Sequence, residues 1–148
     1  MQLLDSSVYI RAFREPAFGE EFRAFHQRVL PNLVLSAVVA SEILIGALTP
    51  ECERAFRRGI LEPFQARRRL HVPTWSTWDG ATSVDRRMRR RSGYQSQLDR
   101  RSFFQNILIA ASARDIGATV ITLNTRDFER IGEFIDIAIV EPWPELAV

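Results

Sequence analysis

Leu33-Val34-Leu35-Ser36-Ala37-Val38-Val39-Ala40-Ser41-Glu42-Ile43-Leu44-Ile45-Gly46-Ala47-Leu48-Thr49-Pro50 contains one charged residue, Glu42. Residues 33–35 are short and wholly apolar, which reads as a strand buried on both faces. Ser36 is a good N-cap, so the pattern predicts a helix over about 37–48, closed by Pro50. A strand that runs through a cap into a helix is the repeating unit of an α/β fold. On that helix the neighbours of Glu42 are Val38, Val39, Ile45 and Gly46, with Ile43 and Leu44 on the remaining faces. The helix is thus expected to be apolar nearly all round and buried. A lone carboxylate there is costly unless a cation or hydrogen-bond donors compensate it. A surface Glu, or one paired with a structural Arg, is the alternative.

The same unit recurs on either side. Residues 2–4 are apolar and end at Asp5, and Ser6 or Ser7 can cap a helix over about 7–13. Phe18, Phe22, Phe25 and Val29 have helical spacing over 17–30. Residues 51–67 read as an amphipathic helical stretch interrupted near Gly59 and Pro63. Residues 70–72 form a short strand stopped by Pro73, and 76–91 a helix ending in a run of arginines. Residues 92–101 are polar and predict a loop. A helix over about 103–116 stops at Gly117; a strand at 119–122, a short helix near 125–131 and a strand at 136–140 follow. Short apolar strands alternating with helices predict an α/β fold with a central parallel sheet covered on both faces. In such sheets sites gather at the C-terminal strand ends, where Asp5 and Asn124 fall.

A chain of 148 residues predicts one domain with one core. Its one cysteine, Cys52, allows no intrachain disulfide, which fits a cytoplasmic protein. No apolar run reaches the roughly 18 residues of a membrane span, and the N-terminus does not read as a signal peptide. All 20 basic residues are Arg. Codon bias in a GC-rich genome explains that choice, but the distribution says more. Residues 51–105 hold 13 Arg against 6 acids, while the rest holds 7 Arg against 12. A basic segment in an acidic frame is an electrostatic footprint for nucleic acid or an acidic partner peptide.

Several side chains could carry chemistry, and each has a plainer reading. Asp5 is either a functional acid or an N-cap. Asn106 lies in an uncharged helical run, Ser102 through Ala113; it is either a neutral ligand through its carbonyl oxygen or a satisfied core amide. Asn124 or Thr125 can cap a helix whose first turn holds Asp127, and Thr122 either faces the same crevice or simply ends its strand. Two His and one Cys do not make a zinc site. No phosphate-binding loop, dinucleotide fingerprint or serine-nucleophile elbow occurs. Acids and amides at strand ends and inside apolar helices instead fit a hard divalent cation, which takes carboxylates plus waters.

From Leu3 to Trp143 the chain resembles the PIN domain, and within it the VapC-like toxins of bacterial toxin–antitoxin modules. The resemblance is carried chiefly by Phe103-Phe104-Gln105-Asn106-Ile107-Leu108-Ile109-Ala110-Ala111-Ser112-Ala113-Arg114, then by Thr122-Leu123-Asn124-Thr125-Arg126-Asp127-Phe128, Asp5-Ser6-Ser7 and the closing Pro142-Trp143. It implies a three-layer α/β/α fold and a Mg²⁺- or Mn²⁺-dependent ribonuclease. By matching position Asp5 and Glu42 take the family's first two acids, and Asn106 takes the third, normally Asp. Asn124 and Asp127 share the fourth region. Ser7 and Thr122 are then expected to support the ion's waters or the phosphate. Arg86, Arg87, Arg90, Arg100 and Arg101 are expected to meet RNA, or else to form a solvated helix end. A cognate antitoxin and a homodimer are also implied, with Phe13, Phe18, Phe56 and Trp78 available for interfaces or for core packing. Three readings of Asn106 stay open: a natural weak or inactive nuclease, an engineered harmless variant, or a site that tolerates the amide. A non-catalytic PIN-like module binding a partner or RNA is the rival function.

Overall fold

The computed structural model describes residues 1–145 other than 92, 95–97 and 99. Five strands form one all-parallel sheet: β1 (Gln2–Leu4), β2 (Leu33–Ser36), β3 (Leu70–His71), β4 (Thr119–Ile121) and β5 (Ile139–Val140). Their order is β3-β2-β1-β4-β5. The chain steps outward from β1 to β2 and β3, then returns to lay β4 on the other side of β1. The strand order reverses there, and the crevice beyond the C-terminal ends of β1 and β4 is the place where such sheets hold ligands. Register puts Leu4 opposite Ile121, so Asp5 and Thr122 leave the sheet side by side.

The connecting helices are α1 (Ser6–Arg14), α2 (Pro16–Val29), α3 (Ala37–Gly46), α4 (Pro50–Phe56), α5 (Glu62–Ala66), α6 (Trp75–Arg89), α7 (Arg101–Ile116) and α8 (Thr125–Gly132). They bury one contiguous hydrophobic cluster with the sheet, in which Leu3, Leu33, Val120, Val8, Phe25, Ile107 and Phe128 are at most 1% exposed. At the C-terminal end Trp143 lies against Phe18 and Phe25, and its indole N–H donates to Glu21 at 2.8 Å. Among the described residues no helix is long and apolar enough to cross a membrane.

The 51–67 stretch is helical and its α-helix is interrupted at Gly59 by a π-helical turn, Arg57–Leu61, which joins α4 to α5. Pro63 falls in the first turn of α5, where its missing N–H costs least. The structure corrects three expectations. The helix of Glu42 is not buried all round. It stops at Gly46, and its last turn projects beyond the core, leaving Ile45 71% exposed and Leu48, just past the helix, 91% exposed. Neither Ser6 nor Ser7 is the cap of α1; both lie within the helix and Asp5 takes the cap position. The last strand is confined to Ile139–Val140. The expected loop at 92–101 lies partly outside the described residues, and its last residue, Arg101, already belongs to α7.

Candidate active site

Asp5 is 2% exposed and follows β1 directly. Its Oδ2 accepts from the Ser7 hydroxyl at 2.8 Å and from the Thr122 hydroxyl at 2.9 Å. The same Thr122 oxygen accepts the Asn124 backbone N–H at 2.9 Å, and Ser7 Oγ accepts the Leu123 N–H at 3.2 Å. Two hydroxyls thus tie the start of α1 to the turn after β4 and aim one oxygen of Asp5 inward. The other oxygen, Oδ1, is buried and has no hydrogen-bond partner.

Glu42 reaches the same place from α3, and the alternative reading, a pair with a structural arginine, is not formed among the described residues. The helix is positioned by Ser36, whose buried hydroxyl accepts the Val38 N–H at 3.1 Å. Glu42 Oε2 is buried and unpartnered as well. Six side-chain oxygens and nitrogens are buried without a partner among the described residues, and only Asp5 Oδ1 and Glu42 Oε2 belong to acids. Burial pushes the Glu42 carboxyl up to about 7; the Asp5 charge adds to this and the Ser6 hydroxyl opposes it. Burial likewise raises Asp5, against the opposing Ser7 and Thr122 hydroxyls and the backbone N–H groups of Ser6 and Ser7. Two buried acids that desolvation resists ionising, one of them also repelled by the other, each with an oxygen left over, are the donor set a divalent cation would satisfy.

Asp127, 8% exposed in the first turn of α8, is arranged differently. Its Oδ2 accepts from Asn124 Nδ2 at 3.0 Å and from Arg100 Nη2 at 3.3 Å. Asn124 stands at the cap position of α8, yet its side chain caps nothing and turns to Asp127 instead. Among the described residues no three Asp, Glu, His or Cys side chains converge as a ready metal cage. Asp5, Glu42, Ser7 and Thr122 come together; Asn124, Asp127 and Arg100 form an adjoining set, joined to the first through the Asn124 N–H and Thr122.

Asn106 is buried, 8% exposed, on α7, which packs against α3 and α8. Its amide forms no hydrogen bond among the described residues, so the satisfied core amide is not what the structure shows. The arginines divide. Arg86, Arg90 and Arg101 are exposed. Arg87 is drawn to Phe134, with its guanidinium carbon 5.5 Å from the ring centre and Nη1 donating to the Phe134 carbonyl at 3.4 Å. Arg100 is committed to Asp127. Of the aromatics set aside for interfaces, Phe18 and Phe56 are buried, whereas Phe13 and Trp78 are exposed. Sequence reasoning missed Ser6 beside Glu42 and the Arg100–Asp127 pair. Ser6 was signalled by its place next to Asp5; the long-range pair left no sequence signal.

A family model for the PIN domain matches residues 3–134. The chain belongs to the PIN domain family. No curated protein matches it. Solved structures share the fold at low identity. FitAcB from Neisseria gonorrhoeae is 22% identical with a TM-score of 0.66, over 98% of this chain and 100% of that one. DNA-bound VapBC from Salmonella typhimurium is 20% identical with a TM-score of 0.67, over 95% and 98%. VapBC-1 from nontypeable Haemophilus influenzae is 19% identical with a TM-score of 0.63, over 95% and 96%. PIN domains are generally nucleases, and the acid cluster lies where this fold places ligands.

Proposed function

We propose that this PIN domain is a VapC-like toxin, a Mg²⁺- or Mn²⁺-dependent endoribonuclease whose activity is weakened by Asn106. The observation that carries the reading is the pair of buried, unpartnered carboxylate oxygens on Asp5 and Glu42. Those two acids would hold the ion, with Asp127, Asn106 and Asn124 completing the donor set. A bound divalent cation lowers the pKa of a coordinated water and offsets charge on the phosphate. The protein's own part is positional. Ser7 and Thr122 fix one oxygen of Asp5 and leave the other without a partner, so that it would be available to an ion, and Asn124 holds Asp127 in place. Asn106 keeps the shape of an aspartate and contributes no charge, so it supports binding of the ion less well. Exposed Arg86, Arg90 and Arg101 supply positive charge for an RNA backbone. The exposed Ile45 and Leu48 at the end of α3 offer apolar surface for the antitoxin or second copy that the VapC resemblance implies.

The test is Mg²⁺-dependent cleavage of RNA by this chain and by Asn106→Asp. Restoring the acid raises the rate by one to two decades, about 1.4–2.7 kcal/mol of barrier; an Asp form no more active than the parent refutes the role assigned to position 106. The Arg100–Asp127 pair favours one other reading, a non-catalytic module, because it neutralises an acid the nuclease needs. A chain that binds neither Mg²⁺ nor Mn²⁺ at millimolar concentration supports that reading over the nuclease.

A further inference from the structure

A groove of about 560 Å³ runs between α6 and α7 and is lined, among the described residues, by aromatic and basic side chains. Its floor is Trp78 from α6 and Phe104 from α7, with ring centroids 6.1 Å apart and planes inclined by 35°. Trp78 is 42% exposed, an unusual state for a large aromatic whose only purpose is packing. Arg100 and Arg101 stand at the start of α7 on the groove wall. Asp85, the one acid among the described residues of the lining, is paired with Arg89 at 2.6 Å. With Arg100 paired to Asp127, the exposed Arg101 is the positive charge that this wall presents. Arg100 also reaches Asp127, so one side chain of the groove wall touches the candidate active site.

We infer that this groove binds single-stranded RNA, with one base stacked on the Trp78–Phe104 platform and Arg101 meeting a neighbouring phosphate. An open aromatic face beside guanidinium groups matches an unpaired nucleotide, which offers a π-face and a charge together. A duplex keeps its base faces covered and offers only phosphate. The charge is complementary, since the groove lies in the 51–105 segment that carries 13 of the 20 arginines. The choice of RNA rests on the nuclease reading; the platform itself does not.

The test is fluorescence anisotropy of a labelled, unstructured single-stranded RNA with the full chain in EDTA, so that nothing is cut. Trp78→Ala weakens binding about 10-fold, the effect of one stacked base, and Trp78→Phe stays within about 2-fold of the parent because it keeps a ring. Arg101→Ala weakens binding a few-fold and lowers the salt slope by about one. A duplex of the same sequence binds Trp78→Ala and the parent alike. Equal single-strand affinity for Trp78→Ala and the parent overturns the inference, as does a parent that binds no single-stranded RNA or binds DNA of the same sequence more tightly. Cleavage in Mg²⁺, measured in parallel, separates the two readings. Cleavage with unchanged binding by Trp78→Ala removes the groove alone; groove binding with no cleavage, even by Asn106→Asp, removes the nuclease alone.

Discussion

Asp5 and Asp127 stand in equivalent places, each where a strand of the parallel sheet gives way to a helix, yet their surroundings are opposite. Asp127 has an arginine and an amide on one oxygen. Asp5 has two hydroxyls on one oxygen, no hydrogen-bond partner on the other, and lies close enough to a second acid, Glu42, for its charge to raise the Glu42 pKa. The protein has neutralised one half of the site from its own side chains and left the other half with uncompensated charge. Burial without compensation destabilises a protein. Its presence on one side only locates the centre of the proposed ion site at Asp5 and Glu42, with Asp127 peripheral until Arg100 gives way.

If that asymmetry is right, substitutions on the two sides differ in size. Asp5→Asn or Glu42→Gln, made in the more active Asn106→Asp background, lowers Mg²⁺-dependent cleavage by about 100-fold or more, roughly 2.7 kcal/mol of barrier. Asp127→Asn costs about a tenth of that factor, and single-turnover rates on one RNA substrate give the order. An equal loss at all three positions breaks the comparison.

A second effect concerns stability in EDTA. Burial pushes the folded Glu42 carboxyl up to about 7, from an ordinary value of 4.5, so the folded state holds its proton over a range where the unfolded chain has lost it. Stability therefore falls as pH rises from about 4.5 to about 7, and stays lower above that. Discounted for the partial exposure of Glu42, the penalty is about 1–2 kcal/mol. Glu42→Gln escapes it, so in urea denaturation the variant gains on the parent by that amount between pH 4.5 and pH 8. A constant difference across that range contradicts the assigned cause.

The smallest effect is expected at the neutralised half. Arg100 is 54% exposed, so Arg100→Ala changes unfolding free energy by less than about 1 kcal/mol. It also removes a cation from beside the proposed ion and tightens Mn²⁺ binding a few-fold. A weaker affinity would mean that Arg100 supports the site rather than competing with the ion.

Much of the fold was legible because apolar strands and caps are local signals. The strands read at residues 2–4 and 33–35, the Ser36 cap and the stop at Gly117, with φ of 66°, all follow from neighbouring residues. The length of α3 was misread because an all-apolar run does not reveal where the core ends; Ile45 and Leu48 lie beyond it. The same limit appears in the site. Asp5, Glu42 and Asp127 were visible as acids in unusual local settings. That Thr122 would cross to Asp5, 117 positions away, depended on the strand order, and so did the choice of Arg100 as the partner of Asp127.

Isothermal titration of Mn²⁺ into the 148-residue chain at neutral pH tests the central claim most directly. The account predicts one ion bound per chain, with affinity lowered more than about 10-fold in both Asp5→Asn and Glu42→Gln, the loss of a charge-assisted ligand. Unchanged Mn²⁺ affinity in those two variants would contradict it.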